Sequence, residues 1–331
     1  MSLPLGILDQ SPIVAGGTAE EAVAATVALV REAEELGYAR YWFAEHHGRA
    51  HNYASAAPEV LIAHLSARTQ RIRLGSGGVL ISHYSALKVA ETFRLLEALA
   101  PGRVDLGIGG GTGSSDAAER ALGAGLGRDG PYAARVREVL GFLEKPGSGA
   151  EPHPGVVAAP VIERSPQIWL LGSTQTGARL AGELGLPFAF AHFIKGDAPD
   201  VTAAYRTSFR PSVGTDRARV ILAVAAFCSP DSASRNDYLT TLAVRRARVR
   251  VEDDPLPLSA GEARTYVPSA AERVHYDDTL RLAVAAHPAS IRDRLEEIAG
   301  RHTADELLVV SVTPDAESRR RSYAELAAAW S

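Results

Sequence analysis

Ile72-Arg73-Leu74-Gly75-Ser76-Gly77-Gly78, the run Leu87–Leu99, Pro101-Gly102 and Val104-Asp105-Leu106-Gly107-Ile108 follow one another along the chain. They read as strand, helix, stop and strand. Apolar residues through Leu87–Leu99 recur at helical spacing, and Pro101-Gly102 ends the helix and turns the chain. The flanking apolar runs are too short for helices. A strand, a crossover helix and a second strand in this order lie side by side and parallel.

The same unit repeats outward in both directions. Strand-like runs lie near Leu5–Leu8, Tyr41–Ala44, Ile72–Leu74, Val104–Ile108, Ile168–Leu171, Phe188–Phe190, Val220–Ala225 and Glu306–Val310. Ala19–Leu36 carries apolar residues at helical spacing and stops at Gly37, and Pro58–Arg68 opens with proline in its first turn. Several strand starts recur at about 32–35 residues, the length of one strand–helix unit with short loops. Eight strands, each but the last followed by helix, predict a closed (β/α)₈ TIM barrel filling residues 1–331 as one domain. An open doubly wound sheet is the alternative. Two stretches break the rhythm and read as insertions. Lys145–Gln167 is rich in proline and glycine, and Asp253–Pro288 combines Pro255, Pro257, Pro268 and Pro288 with charges. Loops of that length inside a compact domain point to function, here a cover over an active site.

Composition narrows the function. A formal net charge of -4 offers nothing to attract nucleic acid or an anionic membrane. Only three lysines occur against abundant arginine and alanine, a bias of a GC-rich genome rather than of function. Cys228 is the single cysteine, which excludes an intramolecular disulfide and a cysteine-based zinc site and suits a reducing compartment. No apolar run approaches the roughly 20 residues that span a bilayer, and Met1-Ser2-Leu3-Pro4 does not begin a signal peptide. A cytoplasmic location is expected.

Barrel chemistry sits at the C-terminal ends of strands. The second strand ends Trp42-Phe43-Ala44-Glu45-His46-His47, an acid and two imidazoles able to move protons near neutral pH. These residues could also ligate a metal, although no other strand end supplies a convergent set, or simply hydrogen-bond nearby loops. Gly75-Ser76-Gly77-Gly78 marks either a bulge against a flat ligand or a crowded barrel corner. Gly107-Ile108-Gly109-Gly110-Gly111-Thr112-Gly113-Ser114-Ser115-Asp116 can present backbone N–H groups to a phosphate, yet Thr112 breaks the dinucleotide fingerprint. It can equally be a plain loop. Gly172-Ser173-Thr174-Gln175-Thr176-Gly177 offers a phosphate seat or an ordinary helix cap. The sixth strand ends Phe190-Ala191-His192-Phe193. His64, His275 and His302 read as structural or solvated, and Cys228 as a small buried apolar residue.

Trp42–His47, Gly75–Gly78, Pro101–Gly107 and Leu171–Thr174 together resemble the luciferase-like flavin monooxygenases, in order over residues 3–195. The nearest likeness is to an actinobacterial branch in aromatic natural-product pathways of antibiotic biosynthesis. The resemblance implies a barrel that binds reduced FMN, or in some branches F420, at the strand ends. It implies His46 as the catalytic histidine, with Glu45 and His47 orienting it. It implies a non-prolyl cis peptide at Gly77-Gly78 beside the ring, with Ser76 on the same strand. Gly172, Ser173, Thr174 and Thr176 would line the cofactor and its phosphate, and His192 would lie beside the ring. One position departs: Gly110 stands where many relatives carry a phosphate-binding arginine. Losing a charge-assisted bond of about 1.5–3 kcal/mol predicts weak, exchangeable binding or another cofactor.

The expected activity is a two-component monooxygenase that uses reduced FMN from a separate flavin reductase, and O₂, to oxygenate a small molecule such as an aromatic polyketide. F420-dependent hydride transfer is the alternative, and a non-catalytic flavin-binding protein a second. A homodimer is implied by the resemblance.

Overall fold

A computed structural model describes residues 3–111, 113, 114, 116–123, 131–144, 152–212 and 215–331. Ten strands form: β1 (Leu5–Asp9), β2 (Arg40–Phe43), β3 (Arg73–Ser76), β4 (Val79–Leu80), β5 (Val104–Gly109), β6 (Gln167–Gly172), β7 (Phe188–Phe190), β8 (Val220–Cys228), β9 (Val284–Ala286) and β10 (Glu306–Val310). All pair in parallel, in the order β10-β1-β2-β3-β5-β6-β7-β8, and β10 pairs back onto β8. That closing ladder, from Glu306↔Ile221 to Val310↔Ala225, makes the sheet a barrel and rules out the open alternative.

β4 continues β3 after an interruption. Gly75 pairs with Asp105 whereas Val79 pairs with Ile108, so four steps on one strand face three on the other. This is a bulge with one extra residue.

The strands are buried on both faces, as parallel strands covered by helices must be. Alternation divides them. Leu8, Trp42, Trp169, Ala189, Ile221, Ala223 and Leu308 pack inside the barrel. Ile7, Tyr41, Phe43, Leu170, Phe188, Leu222 and Val309 belong to the outer core with the helices. The helix Ala19–Glu35 starts at a Thr18–Glu21 capping box. Pro58–Ser66 and Ala86–Leu99 follow β2 and β4, within two residues of the predicted bounds.

The N-terminal mouth is closed by charge. Arg40 opens β2 and donates to Asp105 at 2.6 Å and to both Glu306 oxygens at 2.5 and 3.0 Å. Arg73 reaches the other Asp105 oxygen at 2.5 Å, and the Trp42 indole donates to Asp105 at 2.9 Å. Gly75 is glycine because of this crowding: a Cβ there would lie 2.6 Å from Asp105 Cβ and 2.7 Å from the indole nitrogen.

The stretch 253–288 holds more order than its prolines suggest. Helices Ala260–Thr265 and Ala270–Leu282 each begin with a full capping box, Ser259 with Glu262 and Ser269 with Glu272. β9 then extends the C-terminal end of β8. Of the insertion read at 145–167, residues 145–151 lie outside the described residues; 152–166 carry no helix or strand.

Candidate active site

A cavity of about 570 Å³ opens at the C-terminal mouth, a size suited to a cofactor with a small substrate. Its floor is the barrel interior, with Leu8, Trp42, Ala223 and Leu308. The β3–β4 bulge forms one wall. The Gly77–Gly78 peptide is cis, and both residues face the cavity. Side chains fit at neither: a Cβ on Gly77 would lie 2.4 Å from Leu8 Cδ1, and one on Gly78 2.7 Å from the Gly107 carbonyl oxygen. Bare backbone therefore meets whatever occupies the space. Ser76 does not. Its hydroxyl donates to the Gly107 carbonyl at 2.9 Å and accepts from the Gly107 N–H at 3.0 Å, locking β3 to β5 beside the bulge.

His46 enters the cavity. Its ring stacks on Tyr53 with centroids 4.2 Å apart, and Arg245 lies 5.1 Å behind that tyrosine. Its buried Nδ1 has no hydrogen-bond partner among the described residues. Burial, then the cations Arg245 and Arg49 and neighbouring His47, push its pKa down to about 4. The imidazole is neutral at physiological pH.

Glu45 and His47 bond each other at 2.7 Å. The Glu45 carboxylate also accepts from Tyr84 at 2.9 Å and from the Leu80 N–H at 3.3 Å. It ties β2 to β4, and its partners do not include His46. Glu45 and His47, expected to orient His46, bond each other, and the ring packed on His46 is that of Tyr53. Glu45 still borders the cavity, whereas His47 is not on its wall.

At the next strand ends, Gly110, Gly172 and Ser173 line the cavity. Gly110 lies against Tyr132, whose ring would stand 3.2 Å from an added Cβ. Ser114 is also on the wall, with a buried hydroxyl lacking a partner; Thr112, Ser115 and the Asp116 side chain lie outside the described residues. Thr174 caps the helix Gln175–Glu183 by accepting from the Gly177 N–H at 3.2 Å. Thr176 is exposed in the first turn, and neither threonine lines the cavity. Of the expected phosphate seat, Ser173 alone borders the space with its side chain.

His192 is buried beside the cavity rather than in its wall. Burial and the nearby His302 and Arg301 lower its pKa to about 4. It meets His302 edge to face at 5.6 Å, and His302 bonds Asp197 at 3.0 Å. Ligand atoms of His192, Asp197 and His302 lie within 4.8 Å of one another, close enough to hold a metal. Asp197 is already paired with Arg301 at 2.9 Å. His302, expected to be structural or solvated, is fully buried against Phe190 at 5.1 Å. Cys228 is buried and its thiol is pushed up to about 12, so it is inert.

The roof was not foreseen. Arg246, Val249 and Arg250 of the helix Ser232–Val251 line the cavity with His275, Asp278 and Leu282 of Ala270–Leu282. A signal existed: Arg245, Arg246, Arg248 and Arg250 crowd six residues of the helix after β8.

A closed parallel barrel whose C-terminal mouth joins a neutral buried imidazole to a glycine bulge defines a class, the luciferase-like oxidoreductase barrels. The luciferase-like monooxygenase family profile matches residues 3–306, and this chain belongs to that family. It is 39% identical to the uncharacterised protein YwcH of Bacillus subtilis (strain 168) over 326 residues, 96% of each chain. It is 32% identical to an N-acetyl-S-alkylcysteine monooxygenase of the same organism, again over 96% of each. Among solved structures, apo-MsnO8 superimposes with a TM-score of 0.86 at 34% identity, covering 99% of this chain and 98% of that one. At 16–17% identity the fold alone is shared with an FMN-bound type II Baeyer-Villiger monooxygenase and an F420-dependent secondary alcohol dehydrogenase, both with a TM-score of 0.67. No helix among the described residues is long and apolar enough to cross a membrane.

Proposed function

We propose that this chain is the oxygenating component of a two-component flavin-dependent monooxygenase, oxidising a small organic molecule with O₂ and reduced FMN delivered by a separate reductase. The observation that carries this reading is His46: a neutral imidazole whose buried Nδ1 has no partner, in the same cavity as the side-chain-free Gly77–Gly78 wall. Such an atom is costly to leave unbonded, and a flat heteroaromatic ring with polar edges meets both features. When bound, reduced flavin would supply the two electrons that O₂ needs for one oxygen atom to enter the substrate and the other to leave as water.

The protein's own part is positional and protic. Gly77 and Gly78 let a ring approach the backbone, Leu8, Trp42 and Leu308 keep the floor dry, and Ser173 offers a hydroxyl toward the phosphate. His46, held on Tyr53, takes or gives a hydrogen bond as a neutral base. With a pKa near 4 it does not serve as a standing imidazolium acid at neutral pH. His192, Thr174 and Thr176 act from outside the wall, on helix ends beside it. No arginine from the β5 end answers a phosphate, because Gly110 holds that place; exchangeable binding follows, which suits a cofactor that arrives reduced and leaves oxidised. A homodimer and a reductase partner complete the reading. The relative that oxidises N-acetyl-S-alkylcysteines suggests thioethers as a substrate class beside aromatic polyketides.

The same Gly110 favours a second reading, in which F420 replaces FMN and hydride transfer replaces oxygenation. Anaerobic titration with reduced FMN and reduced F420, followed by oxygen uptake with N-acetyl-S-methylcysteine, separates the two. Tight binding of F420 alone, with no substrate-dependent oxygen uptake, overturns the monooxygenase reading.

A further inference from the structure

The buried arginines of the closed mouth, Arg40 among them, are answered by carboxylates. Arg246 is not. Its Nη1 donates to the Phe193 carbonyl at 2.7 Å and the guanidinium lies 5.3 Å from the Phe193 ring centre. No carboxylate pairs with it among the described residues. Burial lowers its pKa, and nearby Arg250 adds to that fall. Arg250 stands four residues on along the same helix, lines the same cavity and makes no ion pair among the described residues. Like charges at that spacing repel. Arg49, also on the wall, donates from Nη1 to the Val249 and Asp253 carbonyls.

The acidic groups nearby do not balance this charge. Glu45 is committed to His47 and Tyr84. Asp278 borders the cavity but pairs with Arg281 at 2.5 Å. The roof thus presents guanidinium groups to the cavity with no paired carboxylate among the described residues. An oxyanion entering that space gains charge-assisted, bidentate hydrogen bonds.

We propose that Arg246 and Arg250 form a carboxylate-binding subsite for the substrate, so that the molecule oxidised is an organic anion with an apolar body. This rests on the cavity being the oxygenation site. The apolar body is accommodated by Phe193 and Leu282, which lie on the same wall as the two arginines. A cofactor phosphate shares the oxyanion chemistry. The substrate is favoured because both arginines come from the helix over the mouth, while Ser173, the hydroxyl expected to meet a phosphate, stands at the end of β6.

Isothermal titration of the protein, with and without FMN, tests the assignment using N-acetyl-S-benzylcysteine and 4-phenylbutyrate, each beside its neutral carboxamide. The acids are expected to bind at least about 10-fold tighter than the amides, and Arg246→Met to erase that preference. Arg250→Gln, at an exposed position, is expected to reduce it about 3-fold and decides the matter if Arg246→Met does not fold. FMN and riboflavin titrations form the second arm, and the FMN-over-riboflavin preference is expected to survive both variants. Acids that bind no tighter than amides overturn the subsite. So does a variant that keeps the acid preference while losing the FMN preference, since the guanidinium then serves the phosphate. Acid preference without oxygen uptake leaves the subsite standing and removes only the proposed oxygenation.

Discussion

The two mouths of the barrel are built from the same strands yet treat charge in opposite ways. At the N-terminal mouth Arg40, Arg73, Asp105 and Glu306 answer one another within 2.5–3.0 Å, with Trp42 donating into the group. At the C-terminal mouth, among the described residues, the His46 Nδ1 and the Ser114 hydroxyl have no hydrogen-bond partner, and Arg246 and Arg250 have no carboxylate partner. A satisfied buried network holds a fold together, whereas an unsatisfied one awaits a ligand. The difference separates the end that keeps the barrel closed from the end that works.

The contrast can be broken most forcefully at the closed mouth. Arg40→Ala takes the paired guanidinium from buried Glu306 and one of the cations from Asp105, which keeps Arg73 and Trp42. Removing one partner of such a group costs about 3–5 kcal/mol, so urea unfolding should show a large loss of stability or no folded protein. A loss below about 1 kcal/mol would mean that water reaches the network, and that the two ends do not differ as described.

At the open mouth the balance reverses. His46→Asn should lower substrate-dependent oxygen uptake about 10²–10⁴-fold while leaving the urea midpoint near that of the unaltered protein, because the imidazole Nδ1 has no partner to lose. Equal damage to stability and turnover would make His46 a structural residue.

A further effect concerns pH. His46 and His192 have folded pKa values near 4 against 6.5 when unperturbed. Between those values the unfolded chain binds more protons than the folded one. Stability is therefore full above about pH 6.5 and declines as pH falls toward 4, by up to about 1.4 kcal/mol per pH unit for each histidine. Urea midpoints at pH 7, 6 and 5 should show this slope, and His192→Gln should flatten it. Parallel curves for the two proteins would place His192 in water.

The barrel could be read from the chain because its signals are local. Phe188–Phe190 and Glu306–Val310 match to the residue, and Val220–Ala225 falls short only where β8 runs on to Cys228 to receive β9. β9 itself, three residues long, carries too little pattern to register. The helices over the mouth are a different case. Ser259-Ala260-Gly261-Glu262 and Ser269-Ala270-Ala271-Glu272 both spell a capping box, but the surrounding prolines drew attention to loops. Within the site, His46, Gly77, Gly78, Gly172 and Ser173 were reachable because strand ends are short and converge. Tyr53, Arg246 and Arg250 were not, since they come from a loop and a helix whose approach to the mouth is settled by tertiary packing.

The ceiling over the mouth comes largely from one continuous span, the helix Ser232–Val251 and the two helices that follow it before β9. The residues beneath it, on β2, the bulge and β6, come from elsewhere in the chain. Inheritance can thus act on the two separately. On the proposed assignment, a lineage that rewrites Arg246, Arg250 or His275 while keeping Arg245, which lies against Tyr53, changes which guests are welcomed, and exchanging those three positions between relatives is the natural way to move a preference from one catalyst to another.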